Sequence, residues 1–186
     1  MIKTYKSTDT SKITEHFSVN EFRCKCGGNH DTKLDSDLVN KLEQLHKALN
    51  CSEIIINSGY RCSAHDKNVG GSGTGQHVNG CAADIICYDK NNNKISSKKV
   101  SCVAQDLGFG GIANIDSTYT ATHVDTRTSN FWKGDEVVTS AYSVTGDFYK
   151  YYNLSKSDVY PAMSEKSKNI TLIIDGVTYS GTVTEK

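Results

Sequence analysis

Two stretches of the chain carry residues whose types and spacing suit chemistry. His77 lies in Gly75-Gln76-His77-Val78-Asn79-Gly80-Cys81-Ala82-Ala83-Asp84, where a histidine in a glycine-rich turn is followed by an aspartate early in an otherwise apolar run. A carboxylate in such a run is costly to bury unless a positive group compensates it. His123 lies in Thr122-His123-Val124-Asp125, where strand alternation would put His123 and Asp125 on one face. Two imidazoles and a carboxylate match the arrangement of catalytic zinc, which keeps one position open for water, lowers that water's pKa and polarises a carbonyl. Spacing alone leaves a plainer reading open: an aspartate satisfied by turn amides and a histidine in the core. The helical His-Glu-x-x-His motif of other zinc proteases is absent. The other histidines, His16, His30, His46 and His65, sit among polar residues and read as solvated surface groups. Cys24-Lys25-Cys26-Gly27-Gly28-Asn29-His30 also offers metal donors. Its spacing is not Cys-x-x-Cys and no fourth donor is local, so no metal is expected there.

The elements that must position these groups follow from the hydrophobic pattern. Ser18 and Glu21 form a capping pair for a short helix start, and Leu38, Leu42, Leu45 and Leu49 give one apolar face to a helix over 35–49 that Asp35 or Ser36 caps. Ile54–Tyr60 reads as a buried strand ending in a turn, 63–69 as a short helix stopped by Gly70 and Gly71, and Ala82–Tyr88 as a second buried strand. A hairpin-like loop over 89–94, a helix over 97–107 closed by Gly108, and a strand over 121–127 complete the pattern. The expected fold class is α+β, a small antiparallel sheet flanked by helices with the site on the sheet. Residues 1–14 read as an N-terminal arm, 15–132 as the main domain, and 133–186 as an extension. That extension carries a β-hairpin around Asp175-Gly176, expected to pack on the main domain or to bind as an accessory element.

Composition narrows the class. The chain has 186 residues, and 21 Lys and Arg balance 21 Asp and Glu, so no basic excess points to nucleic acid. No apolar run is long enough to span a bilayer, and Met1–Lys6 lacks the apolar core of a secretion signal. The seven cysteines are odd in number and read as mostly reduced thiols, with Cys81, Cys87 and Cys102 in apolar company.

Taken in order, Ser58-Gly59-Tyr60-Arg61, Val69-Gly70-Gly71, Gln76-His77-x-x-Gly80-x-Ala82-Ala83-Asp84 and His123-Val124-Asp125-Thr126-Arg127 resemble the zinc D-Ala-D-Ala carboxypeptidase family, which includes peptidoglycan endopeptidases and phage endolysins. The lead-in Glu15-His16-Phe17-Ser18 to Glu21-Phe22 fits the same pattern, and the resemblance covers about residues 13–132. It implies a Zn2+ cofactor held by His77, Asp84 and His123. Arg61 would hold a substrate carboxylate or the oxyanion, and Gln76 would hydrogen-bond the peptide. The implied activity is hydrolysis of D-alanine-type bonds in peptidoglycan stem peptides, as a carboxypeptidase or endopeptidase. A catalytically silent zinc-containing wall-binding module is the alternative. The resemblance also implies a soluble product made in the bacterial cytoplasm, from a phage or prophage, that acts on the wall after release. One position departs from the family. Where many members carry an acidic general base, three residues before the last zinc histidine, this chain has Thr120. Asp125 is then expected as base or as support for a ligand, with Asp116 the other nearby carboxylate.

Overall fold

The computed structural model describes residues 1–137 and 143–160 in full, and residues 167–174 and 177–184 by their backbone. Its strands are β1 (Ile2–Tyr5), β2 (Thr32–Asp35), β3 (Glu53–Ser58), β4 (Ala82–Tyr88), β5 (Gly111–Asn114), β6 (Ala121–Asp125), β7 (Trp132–Asp135), β8 (Ser167–Ile174) and β9 (Val177–Thr184). The α-helices are α1 (Ser36–Ala48), α2 (Ser63–Asn68), α3 (Gln76–Asn79), α4 (Ser97–Asp106), α5 (Phe148–Tyr152) and α6 (Lys156–Val159), and a 3-10 turn spans Val19–Phe22.

The α+β class holds, with one correction. The main sheet is mixed: five strands in the order β3-β4-β6-β5-β7, antiparallel except for the parallel pair β5 and β7. A strand as short as Gly111–Asn114 shows too few alternations to be read from sequence. Residues 1–14, expected as an arm, begin with β1, which pairs antiparallel with β2. The boundary expected after Trp132 falls inside β7.

The two faces of the sheet divide the labour. Ala83, Ile85, Cys87, Ile112 and Val124 join Ile54 and Ile56 in the core, together with Leu38, Val39, Leu42 and Leu45 of α1 and Val100, Cys102, Val103 and Ala104 of α4. Helix α1 starts at Asp35, whose carboxylate accepts from the Asp37 amide, and its leucines recur three and four residues apart. Each such fully buried side chain contributes roughly 1.5–3 kcal/mol, an upper bound because unfolded chains are partly collapsed. The opposite face carries Asp84 and His123.

The segment after β7 packs on the main domain. Val144, Phe148 and Val159 are buried in the same core. The Phe148 amide donates to Gln105 Oε1 at 3.0 Å, and Asp106 accepts from the hydroxyls of Tyr149 at 2.5 Å and Tyr160 at 2.6 Å. Burial first, and then the Asp106 carboxylate that both hydroxyls bond, hold the two phenols well above the usual tyrosine range. Strands β8 and β9 pair antiparallel in register from Ser167↔Thr184 to Ile174↔Val177; the expected Asp175-Gly176 turn between them lies outside the described residues. All seven cysteines are free thiols. Cys51, Cys87 and Cys102 are core residues, whereas Cys81 is only partly buried.

Candidate metal centre

Strand register builds the site. Asp84 on β4 stands directly across from His123 on β6 and, past an irregularity after Ile56, across from Ser58 on β3. On the other side His123 faces Ala113, which faces Gly134. Small residues beside His123 leave room for its ring on this face. His77 comes from α3, a single helical turn where a glycine-rich turn was expected. That turn ends at Gly80, whose φ of +76° suits only glycine, because a Cβ there would lie 2.4 Å from the Lys33 carbonyl oxygen.

The three groups converge. One ligand atom from each of His77, Asp84 and His123 lies within 4.8 Å of the others. His77 Nε2 is 3.2 Å and His123 Nδ1 2.9 Å from Asp84 Oδ1, and the two nitrogens are 3.3 Å apart. The far side of each ring is also held. His77 Nδ1 donates to the Gly59 carbonyl at 2.7 Å, which leaves Nε2 with its lone pair toward the cluster. His123 Nε2 lies 3.2 Å from Asp125 Oδ2. An imidazole whose outer nitrogen is fixed by a carbonyl or carboxylate is the arrangement that metal-binding histidines use. This donor set, two nitrogens and one carboxylate oxygen all pointing inward, fits a zinc ion.

Arg61 supplies the compensation that Asp84 requires. Its Nη2 is 2.5 Å from Asp84 Oδ2, its Nη1 3.4 Å from the buried Asp66, and its Nε donates to Ser58 Oγ at 2.8 Å. Burial opposes ionisation of Asp84, but hydrogen bonds from His123 and His77 outweigh it and hold the carboxyl far below the usual range. Burial likewise disfavours the charged form of His123, yet its bonds to Asp125 and Asp84 raise it to about 9. A metal must therefore displace a proton from His123 at neutral pH. The sign follows: the apparent affinity should tighten about tenfold per unit from pH 7 toward 9 and flatten above, as His123 loses its proton unaided. Cobalt(II) titrations followed by visible absorption at stepped pH measure this slope; a flat profile would show that His123 carries no proton in the metal-free protein.

Asp125 sits behind His123, fully buried. Arg127 Nε reaches both its oxygens at 2.9 Å and Nη2 reaches Oδ2 at 2.5 Å. Gly111 makes space for it, since a Cβ at 111 would lie 2.1 Å from Oδ2. Burial works against this carboxylate, but His123 and Arg127 together hold it at about 2. Thr120 and Asp116 serve the turn instead. Asp116 accepts from the amides of Thr120 at 2.8 Å and Ala121 at 3.0 Å and from Thr120 Oγ1 at 2.9 Å.

The cluster opens on a cleft of about 490 Å³ lined by Arg61, Gln76, Arg127, Trp132 and Glu136 among others. Trp132 stands edge-on to His123 with ring centres 5.9 Å apart. Glu136, just after β7, was not foreseen, because only the parallel pairing of β7 with β5 brings it here. Burial holds its carboxyl above the usual range, His123 opposes this and Asp84 adds to it. A larger hollow of about 720 Å³, lined by Glu15, His16, Glu43 and His46, shares no residue with the cleft. His16 is exposed, as expected, whereas His46 departs from the surface reading. His46 is buried and stacks on His16 at 3.7 Å, and His16 Nδ1 pairs with Glu43 at 2.5 Å.

Two imidazoles and a carboxylate gathered at the floor of a polar cleft are a donor set suited to metal-dependent hydrolysis. The sequence profile of the Peptidase M15 family matches residues 15–125, more than half of the chain, and the protein belongs to that family. It is accordingly a metallopeptidase of a family whose members are typically zinc-dependent. No curated protein matches the chain. Among the described residues no helix is long and apolar enough to cross a membrane.

Proposed function

We propose that this metallopeptidase hydrolyses D-alanine-type peptide bonds in the stem peptides of bacterial peptidoglycan, with zinc held by His77, Asp84 and His123. The convergence of His77 Nε2, His123 Nδ1 and Asp84 Oδ1 at the cleft floor carries this reading. When bound there, the ion supplies a Lewis acid for the scissile carbonyl and acidifies water. The protein's own groups do the rest. Gln76 lines the cleft, and its side chain has no hydrogen-bond partner among the described residues, so it is free to bond the peptide backbone. Arg61 and Arg127 give the cleft two guanidinium groups, which suit the carboxylates of a stem peptide. Arg61 also pairs with Asp84.

Hydrolysis further needs a base that takes a proton from the attacking water and returns it to the leaving amine. Asp125 is sealed behind His123 with its oxygens on Arg127, so we assign it the positioning of His123. Glu136, the cleft carboxylate that remains once Asp84 is a ligand, is the group we assign as base. Asp125→Asn should then weaken zinc binding about 10–100-fold, as loss of such an outer partner does, with activity returning at saturating zinc. Chelator competition measures the first part and assays across zinc concentration the second; lost activity with unchanged affinity would refute the positioning role.

The reading itself is tested with muropeptides of known structure, incubated with chelated and zinc-restored protein and followed by mass spectrometry. Zinc-dependent loss of D-alanine or splitting of crosslinks, abolished in His77→Ala, is expected. Stoichiometric zinc without cleavage of any muropeptide would favour a silent wall-binding module. An endolysin role is supported by the same chemistry and would appear as lysis of walls to which the protein is added from outside.

A further inference from the structure

Away from the cleft, Cys24, Cys26 and Cys62 bring their sulfurs within 4.8 Å of one another. The donor missing from the local sequence is therefore supplied from 36 residues beyond Cys26, by the residue that follows Arg61 and caps α2. The sulfurs of Cys26 and Cys62 are 4.0 Å apart. Sulfurs about 2.3 Å from a tetrahedral zinc stand roughly 3.8 Å from one another, so little adjustment is needed.

Each sulfur also accepts a backbone N–H. Cys24 Sγ accepts from Cys62 at 3.3 Å, Cys26 Sγ from Gly28 at 3.3 Å, and Cys62 Sγ from His65 at 3.4 Å. Three amides are thus aimed at three sulfurs, the outer contacts that metal-bound sulfur ligands use. A fourth donor stands beside Cys26. A Cβ on Gly28 would lie 2.5 Å from His30 Nε2 and 3.3 Å from Cys26 Sγ, so imidazole and thiol face each other across a residue with no side chain. Core packing does not explain the group, because Cys26 and His30 are exposed, unlike Cys51, Cys87 and Cys102.

We propose that Cys24, Cys26, Cys62 and His30 hold a second, structural zinc ion that staples the 24–30 loop to the turn carrying Arg61. The set is of the Cys3His class, and binding displaces the thiol protons. The loop has no helix or strand of its own. A metal staple would fix it, and with it the Arg61 turn, which also contacts the lead-in segment where the Tyr60 amide donates to the Phe22 carbonyl at 2.8 Å. This site stands or falls independently of the peptidase assignment.

Elemental analysis of the full chain, purified under reducing conditions, should find about two zinc ions per chain, and about one in either Cys26→Ser or His77→Ala. Cys26 is chosen because it is exposed, so its loss leaves the core intact, as circular dichroism would verify. Cobalt(II) replacement separates the two sites. Sulfur-to-cobalt charge-transfer absorption should persist in His77→Ala, disappear in Cys26→Ser and change in His30→Ala. Wild-type protein without that absorption, or with a Cys26–Cys62 disulfide in place of metal, would overturn the proposal. An unchanged spectrum in His30→Ala would overturn the fourth ligand.

Discussion

Substitution of Glu136 by Gln is expected to lower kcat for muropeptide hydrolysis by roughly 10²–10⁴-fold, the usual contribution of a positioned base, without loss of bound zinc. The argument is one of access. Four carboxylates lie near the metal ligands in sequence or space. Asp84 is itself a proposed ligand, Asp116 is held by turn amides, and Asp125 is fully buried with both oxygens on Arg127. Glu136 lines the open cleft. Gln keeps the size and polarity of Glu and removes only the capacity to take a proton, so KM and metal content should stay near wild type. The acid limb of the pH–rate profile, which reports a base that must be ionised, should vanish in the variant. Full activity in Glu136→Gln combined with lost kcat in Asp125→Asn at saturating zinc would return the base to Asp125.

The contrast between Asp125 and Glu136 shows what the sequence can carry. His77, Asp84 and His123 could be picked out because the ordered motifs around them resemble one family, while spacing alone left a plainer reading open. Strand Ala82–Tyr88, by contrast, is expected from its apolar run and observed over the same residues. Helix α1 is legible because its apolar spacing spans several turns. His46 was misread because a polar neighbourhood in sequence says little about a helix flank that a neighbouring ring covers. Glu136 was invisible for a different reason. It arrives through β7, four residues without alternation that pair in parallel with another four-residue strand. Parallel pairing is set by the tertiary path and leaves no local signal of register. The cysteine cluster was half-legible on the same grounds, since Cys24, Cys26 and His30 are neighbours in sequence but Cys62 is not.

The second large effect concerns Arg61, whose role the sequence placed with the substrate and whose contacts place it with two carboxylates. Asp84 and Asp66 are both buried, and the guanidinium bridges them while Ser58 fixes its Nε. Removing one partner from a buried ion pair leaves an uncompensated charge, a loss of about 3–5 kcal/mol. Arg61→Ala should therefore destabilise the metal-free protein by about that amount in urea unfolding. Zinc should restore part of the loss, because the ion compensates Asp84 but not Asp66. Arg61→Lys keeps the charge without the planar fork that spans both partners, so it should fall between wild type and Arg61→Ala. The measurement separates the two roles. Unchanged stability with a large fall in kcat/KM would make Arg61 a substrate-holding group. Lost stability, with kcat/KM recovered wherever zinc keeps the protein folded, would make it the counter-ion that allows a carboxylate to stand in the middle of the sheet.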